Sequence, residues 1–343
     1  NYIGKVVLVE GLVMIPALLI AFAKSQQNCI FAFGVTIGAL IILGLGLSLI
    51  KPKNQEIKIR EGFLIVAGCW ILLSLFGALP FFLSREIPNY IDCIFETVSG
   101  FTTTGATILT NIEVMSSSLL YWRSFTHWLG GMGIVVLTVA LMPILGVGGF
   151  KLIKAETTGP EKDKITPKIT VTAKILWIIY FAFTVVQTIL LMIAGMDFVD
   201  ALSHAFATVG TGGFSTKNTS IAFYNSKAIE WICTIFMILA GINFSLYFKL
   251  FTGNGKELTT NTEFKAYLGI LLTSIFIVTF ANLEQYQSFF TSLRYSSFHV
   301  ASIMSTTGFA TQNYLEWIPL AQIILFFLMF IGGSSGSTSG GVK

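Results

Sequence analysis

The stretch FETVSGFTTTGAT, residues 95–107, decides the fold, because the chain repeats its pattern twice more. The pattern returns as FATVGTGGFST at residues 206–216 and as ASIMSTTGFAT at residues 301–311. Internal similarity of this kind marks one structural unit that is used several times. Each copy follows a semi-apolar stretch that is too short to cross a membrane, which predicts a pore helix descending only partway. The copies align on one glycine each: Gly105, Gly213 and Gly308.

The composition is that of a membrane protein. Of the 343 residues, 54% are hydrophobic and 11% are charged, and the mean hydropathy is +0.78. A soluble domain is about 25% charged, so this chain carries too little charge to cover a water-facing surface of its size. The four cysteines lack the spacing of metal ligands, and we interpret them as helix residues.

Runs of about 20 mostly apolar residues predict spanning helices. The sequence contains eight such runs: 6–23, 29–50, 62–83, 126–150, 172–195, 227–250, 264–281 and 317–332. The predicted fold class is therefore an all-α integral membrane protein. Its repeated helix–pore-loop–helix units resemble those of potassium channels, and two extra transmembrane helices precede them.

The positive charges predict the orientation. Fifteen Lys and Arg residues lie at the N-terminus, at Lys343 or in the linkers 51–60, 151–174 and 249–265, against six on the other side. Cytoplasmic loops are enriched in Lys and Arg, so we expect the N-terminus and these linkers to be cytoplasmic. All three Thr/Gly stretches then lie on the outer side.

The Thr/Gly stretches have the chemistry of an ion filter. Backbone leaves a helix inside a membrane only where it is buried in protein or lines a watery cavity. Carbonyl oxygens replace the water shell of an alkali ion, and glycine permits the unusual dihedral angles that this needs. The three cores contain no carboxylate, which argues against a ring selective for divalent cations. One copy alone would be interpreted as an extracellular turn; three copies in the same topological place favour the filter.

A neighbouring segment resembles a known family. The run WRSFTHWLGGMGIVVL at residues 122–137, together with the three loops, is similar to the TrkH/TrkG/KtrB superfamily of potassium transporters. The two extra N-terminal spans resemble its TrkH-type branch. Related transporters that prefer sodium have serine at the first filter glycine, so Gly105 implies a preference for potassium.

The resemblance implies a filter and a gate. The filter carbonyls would come from Thr103, Thr104, Gly105, Thr211, Gly212, Gly213, Thr306, Thr307 and Gly308. A Gly/Ser-rich intramembrane loop would act as a gate beneath the filter, by blocking the pore or moving aside. It consists of Gly332, Gly333, Ser334, Ser335, Gly336, Ser337, Thr338, Ser339, Gly340 and Gly341.

The same resemblance implies a domain division. Residues 1–52 would form the two N-terminal helices, and the three pore repeats would occupy 53–155, 156–255 and 256–343. The family has four repeats, and its fourth would follow the gate loop. We therefore expect the sequence to be a portion of a longer protein.

Several polar residues near the loops are candidates for supporting roles. Glu96, His204 and His299 stand nine residues before the three filter glycines, and we expect them to brace the filter from behind. Further acids precede the pore helices, where they would cap a helix or raise the local cation concentration: Asp92, Asp197 and Asp200. Asn243 would line a cavity or bridge helices. Glu10 should face protein or lie near an interface.

Partners and ions follow from the resemblance. We expect potassium as the transported ion, with rubidium as a surrogate, and no covalent cofactor; channel and symporter remain open. The expected location is the bacterial inner membrane, with membrane lipid and a second copy of the chain as partners and no nucleic acid. The Lys-rich linker 151–168 is a solvated loop or a docking site for a cytoplasmic, nucleotide-binding ring of the TrkA type.

Two other functions are compatible with the sequence. Gly333–Gly336 matches the G-x-S-G pattern of a serine protease embedded in the membrane, but the nearest candidate bases, His204 and His299, lie on the outer-half pore helices. The second alternative function is that of a sensor or scaffold, which would keep the fold without conducting ions. We expect neither, and no enzymatic activity.

Overall fold

The computed structural model describes residues 2–50, 59–145, 169–251 and 255–342. Throughout these ranges the regular secondary structure is helical, and no strand occurs in them. The chain divides into two compact units, Asn1–Lys174 and Ile175–Lys343. The Lys-rich linkers 51–58 and 151–168, on which the orientation depends, lie outside the described residues.

The first unit consists of seven described helices and the start of an eighth. They are α1 (Tyr2–Val13), α2 (Ile15–Ala23), α3 (Gln27–Leu49), α4 (Ile59–Gly77), α5 (Leu79–Leu83), α6 (Tyr90–Phe101), α7 (Ser117–Leu145) and α8 (Ile169–Ile193).

The second unit contains the rest of α8 and eight further described helices. They are α9 (Phe198–Val209), α10 (Lys227–Ala240), α11 (Phe244–Phe251), α12 (Lys256–Thr260), α13 (Thr262–Ala281), α14 (Leu283–Tyr286), α15 (Phe289–Met304) and α16 (Pro319–Ile331). Short 3-10 turns occupy Ser220–Tyr224 and Tyr314–Glu316.

Five stretches in the described residues are long and apolar enough to cross a membrane. They correspond to five of the predicted runs: Tyr2–Ala23, Gln27–Leu49, Leu64–Leu83, Lys174–Ile193 and Thr262–Ala281. Each has 20 to 23 residues, and at 1.5 Å per residue this length spans the roughly 30 Å hydrocarbon core. The prediction of an all-α membrane protein is confirmed.

The other three runs are not straight, uninterrupted spans in the described residues. Helices α10 and α11 meet at an angle of 90°, where Gly241–Asn243 leaves the helix. Helix α16 has only 13 residues between Pro319 and Gly332. Helix α7 begins well before the predicted run and contains a non-helical residue, Gly133, at φ +66°. Glycine tolerates such backbone angles, so each break occurs where the sequence permits it.

Small residues allow close helix packing in the first unit. Gly4 of α1 lies against the backbone of Gly44 on α3, with no room for a side chain at either position. Gly77 of α4 lies against the side chains of Thr97 and Phe101 of α6. The indole Nε1 of Trp122 also donates a hydrogen bond to the Gly77 carbonyl at 2.9 Å. Close approach through small residues is typical of helices packed in membranes, and it positions α6 against α4 and α7.

The second unit has one buried apolar cluster that includes residues from two of the Thr/Gly stretches. Phe214 and Phe309, which directly follow Gly213 and Gly308, are 1% and 2% exposed. They belong to the same cluster as Leu191 of α8, Ile229 of α10 and Phe298 of α15. The packing of this cluster fixes both loops relative to their own pore helices.

Candidate ion filter and its supports

Three short helices lead into the three loops, and two of them are capped by side chains. Asn89 accepts a hydrogen bond from the Ile91 N–H at 3.0 Å at the start of α6. Asp197 accepts from the Val199 N–H at 3.2 Å at the start of α9. A carboxylate at this position also interacts favourably with the helix dipole. Capping is therefore the role that the structure gives to Asp197.

The three loops share one unusual backbone conformation. Thr103, Thr211 and Thr306 have φ angles of +53°, +54° and +56°, and the glycines two residues later have φ angles of +75° to +85°. The residue between each pair has a negative φ. When left-handed and right-handed residues alternate, successive peptide groups turn to the same side of the chain. A row of carbonyl ligands requires this arrangement.

The positive φ of the three threonines is more informative about function than the positive φ of the three glycines. A positive φ is a true outlier for a β-branched residue, and such a conformation costs about 1–3 kcal/mol unless its surroundings impose it. Three copies of the same outlier, at matched positions of the repeats, indicate a geometry maintained for function. Strain of this kind is concentrated at ligand-binding and active sites.

The loops also share their hydrogen bonds to the preceding helix. In each loop the left-handed threonine donates its N–H to the carbonyl three residues earlier at 3.0 Å. The next residue donates to the carbonyl five residues earlier at 2.8 or 2.9 Å. These bonds satisfy the terminal carbonyls of the helix. They also occupy the N–H groups of the loop, so the groups of the loop that could bind a cation are its carbonyl oxygens.

Glu96 holds the segment that follows the first filter glycine. Its carboxylate accepts from the Thr107 hydroxyl at 2.8 Å and from the Ile108 N–H at 3.1 Å. It also accepts from Nε of Arg123 on α7 at 2.6 Å, and both side chains are buried. A buried carboxylate requires such compensation. The sequence indicated no partner for Arg123, and the ion pair explains its presence in the run WRSFTHWLGG.

His204 occupies the equivalent position in the second repeat. Its Nδ1 lies 2.7 Å from the carbonyl oxygen of Asp200. A carbonyl only accepts, so Nδ1 carries the proton and donates. In the neutral ring Nε2 then accepts from the Ser215 hydroxyl at 2.9 Å, and Ser215 Oγ in turn accepts from the Lys217 N–H at 3.0 Å.

His299 of the third repeat has the same orientation. Its Nε2 accepts from the Gln312 N–H at 3.2 Å and lies 3.3 Å from the Thr311 hydroxyl. An N–H donor at Nε2 requires that nitrogen to be unprotonated, so the proton of the neutral ring is on Nδ1. In all three repeats, the side chain nine residues before the glycine accepts hydrogen bonds from the segment after the filter.

Two serines each donate a hydrogen bond to their own loop, and the sequence did not predict these bonds. Ser99 donates to the Ala106 carbonyl at 2.6 Å, and Ser302 donates to the Phe309 carbonyl at 2.7 Å. Both serines stand six residues before a filter glycine, and both acceptors directly follow that glycine. The second repeat has Ala207 at this position, which has no hydroxyl. The sequence signal that could have predicted these bonds is the recurrence of serine at the same offset in two repeats.

The Gly/Ser-rich loop lies against the second and third repeats. The Gly340 N–H donates to the hydroxyl of Thr306 at 2.7 Å, and the Thr338 hydroxyl donates to the Val209 carbonyl at 2.9 Å. Thr306 belongs to the third filter loop, and Val209 ends the second pore helix. The loop is thus hydrogen-bonded directly to the third Thr/Gly stretch and to the end of the helix that leads into the second.

The same loop is also tied to the break between α10 and α11. The Ser334 N–H donates to the Gly241 carbonyl at 2.9 Å, and the Phe244 N–H donates to the Gly336 carbonyl at 3.1 Å. Asn243 accepts from the backbone and the hydroxyl of Ser245, and it lies so close to Gly336 that a side chain there would collide with it. Asn243 therefore caps α11 beside the loop.

One carboxylate completes the attachment of this loop. Glu263 is in the first turn of α13, and its Oε1 accepts from the Ser335 N–H at 2.5 Å. A charged acceptor makes a stronger hydrogen bond than a neutral one. Glu263 is separated from Ser335 by 72 residues, and no local pattern in the sequence indicated the pairing.

Asp200 and Asp92, two further acidic candidates, have structural roles at or beside the pore helices. Asp200 accepts from the Tyr224 hydroxyl at 2.7 Å and lies 3.6 Å from the Lys217 ammonium. Burial raises the pKa of Tyr224 above its ordinary value, so this phenol remains a donor to Asp200. Asp92 lies in the first turn of α6, where a negative charge is favourable.

The serine protease alternative has no geometric support in the described residues. The ring nitrogens of His204 are hydrogen-bonded to Asp200 and Ser215, and Nε2 of His299 contacts the segment after its filter. Ser335 donates its N–H to Glu263, a carboxylate rather than a histidine. Within the part of the chain that the structure describes, neither histidine is hydrogen-bonded to the Gly/Ser-rich loop.

Comparison with known proteins gives a consistent result. The family model TrkH, described as a cation transport protein, matches residues 29–343. The Trk system potassium uptake protein TrkH of Halomonas elongata is 40% identical over 348 residues, which cover 99% of this chain and 72% of that protein. TrkG of Escherichia coli is 34% identical over 99% of this chain and 71% of its own length.

A solved structure has the same fold. The crystal structure of the potassium transporter TrkH from Vibrio parahaemolyticus matches with a TM-score of 0.82 and 33% identity. The match covers 99% of this chain and 72% of that one. These findings confirm the fold class, the family resemblance and the expectation of a transport protein rather than an enzyme. On the sequence match, the relatives and the shared fold together, this chain belongs to the TrkH family of cation transport proteins.

Proposed function

We propose that this protein takes up potassium across a cell membrane. The observation that carries the proposal is the threefold left-handed threonine followed two residues later by a left-handed glycine, at the end of each pore helix. The relatives from Halomonas elongata and Escherichia coli are named as Trk system potassium uptake proteins, which supports potassium as the ion.

In this proposal the loop carbonyls are the ion ligands. The ligands come from Thr103–Gly105, Thr211–Gly213 and Thr306–Gly308, each of which replaces part of the water shell of the ion. Glu96, His204 and His299 act as positioning residues, because they hold the segment after each filter glycine through the hydrogen bonds described above. The potassium preference is assigned to glycine at the first filter position, Gly105.

The Gly/Ser-rich loop Gly332–Gly341 is the proposed gate. Its hydrogen bonds to Thr306 and Val209 support a closed arrangement in which the loop is attached to the pore helix and filter of the second unit. Opening requires these bonds and the Glu263–Ser335 bond to be exchanged for others. The flexible glycines permit the change of backbone angles.

The assembly is proposed from the family. We propose a homodimer in the bacterial inner membrane, with a cytoplasmic N-terminus and a TrkA-type nucleotide-binding ring on the cytoplasmic face. The name Trk system, carried by the relatives, supports action together with other components. The Lys-rich linker 151–168 is the proposed contact on this face.

Rubidium and potassium flux into liposomes tests the filter assignment. The full-length protein with Gly105→Ser should lose discrimination against sodium, because a serine side chain at φ +75° strains the loop that positions the carbonyls. Gly195→Ser is the matched control: it also has a positive φ, +104°, with open space around it and a location outside the three loops. Unchanged potassium/sodium preference in Gly105→Ser would refute the assignment.

Growth distinguishes transport from sensing. Cells that lack their own potassium uptake should grow at low potassium when they produce the full-length protein. Failure of this rescue, with the protein present in the membrane, would favour a sensor that keeps the fold without conducting ions.

A further inference from the structure

The first transmembrane stretch contains a buried carboxyl group that the proposed filter and gate do not use. Glu10 belongs to α1 and is 2% exposed. It lies eight residues after Tyr2, which places it about 12 Å along the helix axis. The stretch Tyr2–Ala23 has 22 residues, so Glu10 lies well inside the hydrophobic span and away from both ends.

Its surroundings in the first unit are apolar. Val7 and Met14, on the same face of the first stretch, are 1% and 0% exposed. Across from them lies Gly77 of α4, so close that a side-chain carbon there would be 3.3 Å from Glu10 Oε1. The absence of a side chain at Gly77 therefore makes the space that the carboxyl group occupies.

The polar groups of the neighbouring elements are bonded elsewhere. The Gly77 carbonyl accepts from Trp122, and the Thr97 hydroxyl donates to the Cys93 carbonyl at 2.8 Å. Neither oxygen of Glu10 has a hydrogen-bond partner, and no cation pairs with it, among the side chains that the structure describes, those of residues 2–50, 64–133, 174–250 and 255–342. Arg123, which is the buried cation among the described side chains of this unit, is paired with Glu96.

An ionised carboxylate in such a place has no compensation for the water it loses. Burial of an isolated charge is far more costly than burial of a neutral polar group, and the group neutralises instead. A metal cation would need several oxygen ligands, whereas Glu10 offers one carboxyl group. A proton needs only that group.

We propose that Glu10 is a proton-binding site, and that its carboxyl group is occupied by a proton in the folded protein at neutral pH. The site is adjacent to the first pore helix, because a side-chain carbon at Gly77 would meet Glu10 and also Thr97 and Phe101 of α6. An ionisable side chain inside a transmembrane segment is rare and commonly functional. This inference goes beyond the filter and does not depend on it.

Infrared spectroscopy of the full chain tests the site. The protein is purified in a detergent without ester groups, so that the carbonyl region contains protein bands alone. A protonated carboxyl group has a C=O stretching band that is separate from the carboxylate bands and shifts in D₂O. We expect this band at neutral pH in the wild type, and we expect Glu10→Gln to remove it.

The matched control is Glu86→Gln. Glu86 also belongs to the first unit, but its oxygens accept from the Ser116 N–H at 2.8 Å and from the Cys29 thiol at 3.4 Å. Its replacement should leave the C=O band intact. A wild-type spectrum without this band at neutral pH, which needs no variant, would overturn the proposal. A band that persists unchanged in folded Glu10→Gln would overturn it too.

Discussion

The second filter glycine gives the sharpest test of the loop geometry. Gly213 and Gly308 have nearly the same backbone, with φ of +80° and +85°. Their surroundings differ: a side-chain carbon at Gly213 would overlap the carbonyl oxygen of Thr307, whereas no described atom lies within 4 Å of the same position at Gly308. Comparison of Gly308→Ala with Gly213→Ala therefore separates the cost of backbone strain from the cost of a steric clash with Thr307.

The two substitutions should differ in free energy of unfolding. An alanine forced into the left-handed region costs about 1–2 kcal/mol, and this is the whole expected cost of Gly308→Ala. Gly213→Ala has the same strain, and the Thr307 carbonyl must also shift to admit the methyl group. Overpacking of this kind adds about 1–3 kcal/mol, so we expect a total of about 2–5 kcal/mol.

Thermal unfolding in detergent, followed by rubidium uptake into liposomes, measures the difference. Gly213→Ala should unfold at a lower temperature than Gly308→Ala, and its uptake should discriminate less well between rubidium and sodium, because the displaced Thr307 carbonyl is a proposed ligand. Equal unfolding temperatures for the two variants would refute the contact between the second and third filter loops.

Three further predictions concern the supports of the loops. Arg123→Ala should destabilise the first unit by about 3–5 kcal/mol in chemical unfolding, because it leaves the Glu96 carboxylate buried and unpaired; restored stability in the double variant with Glu96→Gln would confirm the pairing, and an unchanged single variant would contradict it. Ser302→Ala should weaken rubidium/sodium discrimination through loss of one hydrogen bond, about 0.5–1.5 kcal/mol, while Ser302→Thr, which keeps the hydroxyl, should retain it. Glu263→Gln should raise basal uptake by weakening the charged bond to Ser335; unchanged uptake would show that this bond does not hold the gate.

Local features of the chain were predictable because they depend on residues close together in the sequence. The alignment on Gly105, Gly213 and Gly308 is a statement about composition and spacing, and the left-handed angles at these glycines follow from the freedom of glycine. The offset of nine residues between Glu96 and Gly105 is likewise local. The segment after the loop runs back alongside the helix that precedes it, so Glu96 meets residues only 11 and 12 positions later.

The sequence predicted less well where a hydrophobic run is interrupted. Hydropathy averages over about 20 residues, so it does not register the 90° break at Gly241–Asn243, whereas the end of α16 at Gly332 agrees with the predicted start of the Gly/Ser-rich loop. Both breaks are next to the Gly/Ser-rich loop, where non-helical backbone hydrogen-bonds to other parts of the second unit. Inside a membrane such backbone must be satisfied by protein.

By itself, the sequence determined that this protein spans a membrane and that its three Thr/Gly loops are equivalent, because apolar length and repeated motifs are properties of the chain alone. Only the tertiary structure decided the pairing of Arg123 with Glu96, the proton positions of His204 and His299, and the attachment of Ser335 to Glu263. The physical reason is that a hydrogen bond depends on atoms brought within about 3 Å by packing. Residues distant in sequence meet at that range only once the helices have packed.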